Sequence, residues 1–288
     1  MKISSQIIKG SKNSNVNRVI NLSEFNYLKD QLLDIESNME KLFKKYQYDP
    51  SHKIYLCMQN LLSYFAEEFS IKKEFSEYYD IVSKIEDDFI PSGPPMSPLT
   101  VTYFTFWCFC DLRFGIEKET IGTIFYDLAI ELLIDELLLK SLENLNQSYM
   151  GFYVHNGFDN DLILLKEILT NKEYSCICPA GYQGNKGEIW FVRIAPNLDN
   201  IYNYQIILTT PYVIINNNEK DWLSYFQRQS ITKNDINYLE RLNQLLKYNS
   251  DNLYWHNYIL AAYVNFSYNR ILLTGIPDLK GSKPHEKC

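Results

Sequence analysis

The chain has 288 residues, of which 46% are hydrophobic and 22% charged, and its formal net charge is −7. This composition excludes an intrinsically disordered chain and a membrane protein, and the acidic balance disfavours binding to a phosphate backbone. No stretch approaches the roughly 20 apolar residues that span a bilayer, and the N-terminus lacks the apolar centre of a secretory signal peptide. We therefore expect a cytoplasmic location with reduced cysteines. The many Tyr, Phe, Asn, Ile and Lys residues indicate a bacterium-like, AT-rich genome.

The first half of the chain is predicted to be helical. Residues 1–20 are polar and are expected to fray. Apolar residues then recur at helical spacing, and short connections between the first three helices indicate antiparallel neighbours in a bundle. The predicted helices cover residues 22–46, 54–69, 72–89, 100–110 and 117–145.

A proline-rich segment, Pro91–Pro98, interrupts the helical half. Its prolines lack amide donors and restrict the residues that precede them, so a helix cannot continue through it. We predict a rigid, extended connector that offers a contact surface.

From Ser148 the pattern changes to short runs of β-branched and aromatic residues separated by turn signals. Five closely spaced strands predict a small antiparallel β-barrel or curved sheet, SH3-like or OB-like. Helical spacing then returns before a last short strand at 270–274. The fold class is therefore α+β, with a helical region at 1–147, a β-rich module at 148–216 and a C-terminal helical region at 217–288. The predicted strands cover residues 149–158, 161–169, 173–178, 187–195 and 203–215, and the later helices 221–226, 234–248 and 252–266.

Acidic residues in the helical half are the candidates for catalysis. Asp127, Glu131 and Asp135 are four residues apart, which places them on one helix face, although the Glu-x-x-His partners of a di-metal site are missing. Asp111 and Arg113 border the apolar run that ends at residue 110. They fit either an anion-binding pair or a buried ion pair that holds a turn. One hypothesis is a hydrolase-like acidic cleft near Asp111, Arg113, Asp127 and Glu131.

The cysteines form two Cys-x-Cys pairs, Cys108 with Cys110 and Cys176 with Cys178. Zinc ligands could be assembled from these and from His285 and Cys288, but structural zinc sites use compact knuckles rather than scattered ligands. A nucleophilic Cys178 would need a base, and His155 is the residue that could meet it across the β module. We predict no metal and no cofactor.

The β module was also considered for binding single-stranded nucleic acid, since small barrels do so by aromatic stacking in a basic groove. Its acids outnumber its basic residues. Phe152 and Tyr153 are adjacent, as are Trp190 and Phe191, so one ring of each pair must face the interior. Charge and exposure both rank this function below the others.

The leading interpretation is a non-catalytic binding or regulatory protein that acts through protein–protein contacts. The helical half would be the scaffold, and the barrel and Pro91–Pro98 would contact another protein. The enzyme with an acidic cleft is the alternative, and single-stranded nucleic-acid binding is the second alternative. The sequence leaves the partner and the oligomeric state open.

Overall fold

The computed structural model is a mixed structure, 51% helical and 19% strand, which confirms the predicted α+β class. The chain divides into two compact units: Met1–Lys84 with Trp107–Gln147, and Ile85–Phe106 with Ser148–Cys288. The predicted connector Pro91–Pro98 lies outside the described residues. The structure describes residues 1–12, 22–45, 48–89, 101–198, 202–231, 237–248, 251–267 and 269–286.

The first half of the chain is helical, as its periodicity predicted. The Asp49 side chain accepts the His52 amide and Pro50 is the first helical residue of α3, so this helix start follows the usual capping pattern. In the first unit, Phe65 packs against Phe69 and Phe125 with ring centroids 4.5 and 5.0 Å apart. Helices α1–α7 are Ile3–Lys12, Leu22–Lys45, Pro50–Phe69, Ser76–Phe89, Val101–Cys110, Ile121–Leu132 and Glu136–Gln147.

Two predictions for the first half were wrong. Residues 3–12 form helix α1 instead of fraying, because its first amides are held by a distant carboxylate described below. The predicted helix over 117–145 is two helices, since Leu133 adopts a left-handed conformation after α6 and Asp135 starts α7.

Five strands of the second unit close into a barrel. Their order is β1-β2-β3-β5-β4, and β4 pairs back with β1, while β3 and β5 run parallel. The predicted five-stranded barrel is therefore present, but because β3 pairs with β5 in parallel it is mixed rather than antiparallel as predicted. Strands β6, β8 and β7 extend the sheet from β4. Strands β1–β8 are Met150–Asp159, Leu162–Glu167, Glu173–Ile177, Ile189–Ala195, Gln205–Ile207, Tyr212–Ile215, Tyr263–Ser267 and Arg270–Thr274.

The C-terminal helices cover one outer face of the barrel. Phe152 on β1 lies opposite Phe191 on β4, and their rings stack 4.3 Å apart. Trp222 of α8 stacks on Phe152 at 3.8 Å, and Trp255 of α10 lies 5.2 Å from Phe191. These helices are α8 Glu219–Arg228, α9 Tyr238–Asn243 with a π-helical turn Gln244–Tyr248, and α10 Tyr254–Ala262.

Three local features differ from the sequence prediction. The predicted strand 203–215 is interrupted before β6, where Pro211 lacks an amide donor for a continuous ladder. The predicted helix 252–266 ends at Ala262, and its last residues form β7. Asn156-Gly157 is a dipeptide typical of tight hairpin turns, and the sequence predicts such a turn there. Gly157, at φ 108°, instead lies at a bulge inside β1.

Candidate functional site

The predicted catalytic acid Asp127 takes part in holding α1. The Ser4 hydroxyl donates to its carboxylate at 2.8 Å, and the Lys2 ammonium lies 3.7 Å away. Beside it, the buried Glu119 accepts the amides of Ile3 and Ser4. Its Oε1 atom lies 2.9 Å from Ser4 Oγ, so the single hydroxyl hydrogen of Ser4 can be donated to either acid. A carboxylate at a helix N-terminus satisfies amides that have no intrahelical partner. The arrangement therefore anchors α1.

The other predicted site residues differ in how far they are buried. Asp111 is buried, Arg113 is half-buried and Glu131 is exposed. Asp135 accepts the amides of Leu137 and Leu138 at 2.9 and 3.3 Å, which is the geometry of a helix N-cap. The residues of the hypothesised acidic cleft thus differ widely in exposure. Asp127 contacts the N-terminus of α1, and Asp135 caps the N-terminus of α7.

The cysteine candidates lie in the barrel core. Cys176 and Cys178 are buried, and burial raises the pKa of Cys176 and raises that of Cys178 to about 11. His155 Nδ1 accepts the Gly157 amide at 3.1 Å, and Nε2 lies 2.9 Å from the carbonyl oxygen of Gln183. Because both ring nitrogens are engaged and the thiol stays protonated at neutral pH, this pair lacks the activated thiolate that nucleophilic catalysis needs.

The aromatic side chains proposed for base stacking are buried. Tyr153 and Trp190 face the barrel interior as a cross-strand pair, while Phe152 and Phe191 pack under the C-terminal helices. All four rings are therefore covered by other parts of the protein, two inside the barrel and two beneath the helices. A stacking platform would have to be built from other rings.

Two further polar clusters in the second unit were missed by the sequence analysis. Glu188 accepts hydrogen bonds from Tyr182, Asn185 and Trp190 at 2.9, 3.0 and 2.8 Å. Glu167 is buried at the end of β2 and accepts the hydroxyls of Tyr149 and Thr170, and burial raises its pKa. Both carboxylates accept hydrogen bonds from neighbouring side chains, as buried polar groups usually do. No motif or spacing in the sequence indicated that the residues of these two clusters would come together.

An open cleft in the second unit has a volume of about 570 Å³. Its charged groups are paired with one another or with the backbone. His256 Nε2 is 3.1 Å from the Asp88 carboxylate, and burial lowers the pKa of this histidine more than Asp88 raises it. The Lys283 ammonium donates to three carbonyl oxygens and lies 3.2 Å from Glu286. The Asp88–His256 pair thus links α4 to α10, and Lys283 holds the segment 276–286 together.

A small apolar groove on the first unit is the best candidate for a binding site. Its floor is made by the buried Leu32, Leu61 and Leu132, and its hollow measures about 40 Å³. That volume suits part of one aliphatic side chain rather than a substrate molecule. We call this surface the leucine groove; it is lined by Lys29, Leu32, Leu33, Leu61, Leu132, Leu133 and Ile134.

Exposed aliphatic side chains surround the leucine groove. Leu133 is 81% exposed, Leu33 is 53% exposed and Ile130 is 49% exposed. Single exposed apolar residues are ordinary on protein surfaces. Two of these flank the same hollow, however, and apolar side chains around a concave site are typical of an interaction surface.

Leu133 also has an unusual backbone conformation. Its φ and ψ are 56° and 45°, in the left-handed region. The amide of Ile134 donates to Ala129 O at 3.2 Å and that of Leu133 to Ile130 O at 3.3 Å, which is the Schellman pattern that ends a helix. Glycine is the usual residue at this position because a Cβ disfavours the conformation. A leucine here exposes its side chain at an energetic cost, and such outliers often mark functional positions.

Four exposed carboxylates are sequence neighbours of residues that line the leucine groove. The exposed Asp30 and Asp34 follow Lys29 and Leu33 on α2, and the exposed Glu131 and Asp135 stand on either side of the segment 132–134. Lys29 is the basic side chain that lines the hollow. Consecutive residues of a helix point about 100° apart, so Asp30 and Asp34 do not share the face that Lys29, Leu32 and Leu33 turn to the groove.

Within the described ranges, no three His, Cys, Asp or Glu side chains come together in a group that could hold a metal ion. No helix in the described part of the chain has both the length and the apolar character needed to cross a bilayer. Compared with protein-family models, curated proteins and solved structures, the chain matches none.

Proposed function

We propose that the chain is a non-catalytic binding protein that docks another protein through the leucine groove of its helical unit. The observation that carries this proposal is Leu133, an exposed leucine held in the left-handed conformation beside an apolar hollow. This moves the proposed contact surface from the barrel to the helical half. The predicted connector, Pro91–Pro98, has no part in the argument because it lies outside the described residues.

The energetics of the groove favour a partner with a few apolar anchors. Fully burying a leucine side chain contributes roughly 1.5–3 kcal/mol. Leu133 is mostly exposed and Leu33 about half exposed. A partner that covered both side chains would therefore gain roughly 2–4 kcal/mol of binding free energy before the costs of association. Protein interfaces commonly obtain most of their affinity from a few such residues.

The alternatives have less support. The acids of the enzyme hypothesis include Asp127, which holds α1, and Asp135, which starts α7. The rings of the nucleic-acid hypothesis are covered by protein.

We also propose a cytoplasmic location in a bacterium with an AT-rich genome. In its support, no disulfide joins the five cysteines in the described part of the chain, and all five are buried.

Paired affinity capture from host lysate tests the proposal. The baits are the wild-type chain, the variant Leu133→Gly and a control variant, Ile116→Ala. Mass spectrometry with stable-isotope labelling quantifies each protein that the baits retain. Ile116 is 93% exposed in the same unit and does not line the groove. We expect a protein retained by the wild type and by Ile116→Ala but lost with Leu133→Gly. Equal retention by all three baits would contradict docking through the groove.

A further inference from the structure

Strand β7, Tyr263–Ser267, is the last strand of the sheet in the second unit. Among the described strands it pairs with β8 alone, so its other edge has no described strand beside it. We infer that this open edge binds the same strand of a second copy of the chain, in antiparallel pairing about a twofold axis. The contact goes beyond the docking function proposed above, because the leucine groove belongs to the other unit.

The open edge offers both a hydrogen-bond donor and an acceptor. Phe266 lies opposite Ile271 of β8, and the Ile271 amide donates away from β7, to Pro211 O at 2.9 Å. Opposite residues of an antiparallel ladder alternate between pairs that exchange both hydrogen bonds and pairs that exchange none. Phe266 and Ile271 form a pair of the second kind. The amide and the carbonyl of Phe266 therefore face the open edge, where an extended strand can bind both.

The Phe266 amide is held by a side chain in place of a strand. It donates to Asn265 Oδ1 at 2.8 Å, one residue back along the chain. A local contact of this kind satisfies the amide while the edge is unpaired, and the carbonyl oxygen of an incoming strand can replace it. Residues 265–267 pair regularly with β8, whereas a bulge between Tyr263 and Asn265 disturbs the ladder before them. The pairing is therefore centred on Phe266.

Exposed apolar side chains accompany the open edge. Phe266 is 44% exposed and Val264 is 40% exposed, and Asn265 between them is exposed as well. Edge strands are usually protected from pairing by charged residues or by proline, and the sequence of β7 contains neither. With the twofold axis at Phe266, the two phenyl side chains lie directly opposite each other, and aromatic cross-strand pairs stabilise a sheet.

The charge pattern favours a second copy as the occupant. The chain has 35 acidic residues and a net charge of −7, which disfavours self-association in general. However, no Asp or Glu occurs between Asp251 and Asp278, and the basic residue of that stretch is Arg270. Its guanidinium lies 4.9 Å from the ring centre of Tyr182 and donates to the Tyr182 hydroxyl, within its own chain. An uncharged edge suits an uncharged strand, and β7 is itself such a strand.

Sedimentation velocity of the intact chain over a range of concentrations tests the inference. Stable interfaces bury roughly 1,200–2,000 Å² and this edge is short, so we expect a weak dimer with a dissociation constant on the order of 100 µM. Phe266→Lys should weaken the dimer at least about tenfold, because two ammonium groups then meet at the axis. Leu279→Lys is the matched control and should have less than about a twofold effect. Leu279 is also 44% exposed in this unit, and it lies outside the strands.

Two further experiments separate pairing at the edge from a loss of folding. Phe266→Glu alone should also dissociate the dimer, but an equimolar mixture of Phe266→Lys and Phe266→Glu should restore it, because opposite charges then meet at the axis. Asn265→Thr should strengthen the dimer about threefold, since it removes the carboxamide that competes for the Phe266 amide. Far-UV circular dichroism checks that each variant is folded.

Several results would overturn pairing at β7. One is a wild-type chain that stays monomeric at millimolar concentration. Others are equal effects of Phe266→Lys and Leu279→Lys, or a mixture of the lysine and glutamate variants that stays monomeric. Leu133→Gly should leave the dimer unchanged, and a dimer lost with that variant would be held by the leucine groove instead. Because Phe266 variants test the dimer and Leu133→Gly tests the docking function, the failure of either proposal is recognisable by itself.

Discussion

Replacing Leu133 with glycine should change the stability of the fold little, with a small gain as the central expectation. An L-residue in the left-handed conformation costs roughly 1–2 kcal/mol, and glycine removes that cost while losing about 0.5–1 kcal/mol in backbone entropy. Leu133 is 81% exposed, so the apolar burial lost with its side chain is at most about 0.5 kcal/mol. The expected change in the free energy of unfolding therefore lies between about −0.5 and +1.5 kcal/mol, with a midpoint of about +0.5 kcal/mol.

Leu133→Ala is the matched control, because alanine also removes the exposed side chain but keeps a Cβ in the left-handed conformation. We expect Leu133→Gly to be more stable than Leu133→Ala by about 1 kcal/mol. Urea unfolding followed by far-UV circular dichroism measures both variants, since the chain is 51% helical. A glycine variant that is less stable than the alanine variant would refute the argument that Leu133 is strained.

Three further predictions concern the framework of the two units. Glu119→Gln should lower the free energy of unfolding by about 1–2 kcal/mol, because α1 loses its carboxylate cap, while Glu117→Gln at an exposed site should stay within about 0.5 kcal/mol in the same urea assay. Phe152→Ala should lower the free energy of unfolding by about 3–5 kcal/mol, because it removes the central ring of the aromatic stack under α8 and α10. Unfolding followed by tryptophan fluorescence measures this loss, and a loss below about 1 kcal/mol would contradict that packing. Burial raises the pKa of Glu167 above its ordinary value of 4.5, so its contribution to stability should fall as pH rises through 4.5 to the folded-state pKa; Glu167→Gln should gain stability relative to wild type over that range, and a difference that does not change with pH would contradict it.

The fold class was predictable from the sequence because the periodicity of the apolar residues changes at Ser148. Helical spacing dominates before that residue, and short β-branched and aromatic runs dominate after it. The adjacent rings at Phe152–Tyr153 and Trp190–Phe191 also correctly indicated that one ring of each pair faces the barrel interior. These features are local, so a single sequence contains them.

The errors arise where distant residues decide local structure. Residues 3–12 read as a polar tail, yet Glu119 caps α1 from more than 100 positions away. The run of helix-forming residues around Leu133 concealed the break between α6 and α7, although Asp135 ahead of Glu136 is a recognisable N-cap signal. Pro211 likewise could have marked the end of a strand.

The candidate site was not predictable for a related reason. Groups of polar residues are the usual sign of a functional site in a sequence, whereas the leucine groove is defined by apolar residues from α2, α3 and the end of α6 with the turn after it. Leucines at helical spacing ordinarily indicate a core, and only the fold shows that Leu33 and Leu133 remain exposed. The positive φ of Leu133 has no sequence signature, because glycine or asparagine is the residue that pattern rules expect there.

Hydrogen–deuterium exchange of the intact chain, with and without the partner captured by the wild type, tests docking at the leucine groove most directly. The account predicts slower amide exchange in the segments 29–34 and 131–138 when the partner is bound. The matching Leu133→Gly sample should show no such slowing at the same partner concentration. Slower exchange confined to the barrel strands, in residues 150–215, would contradict it.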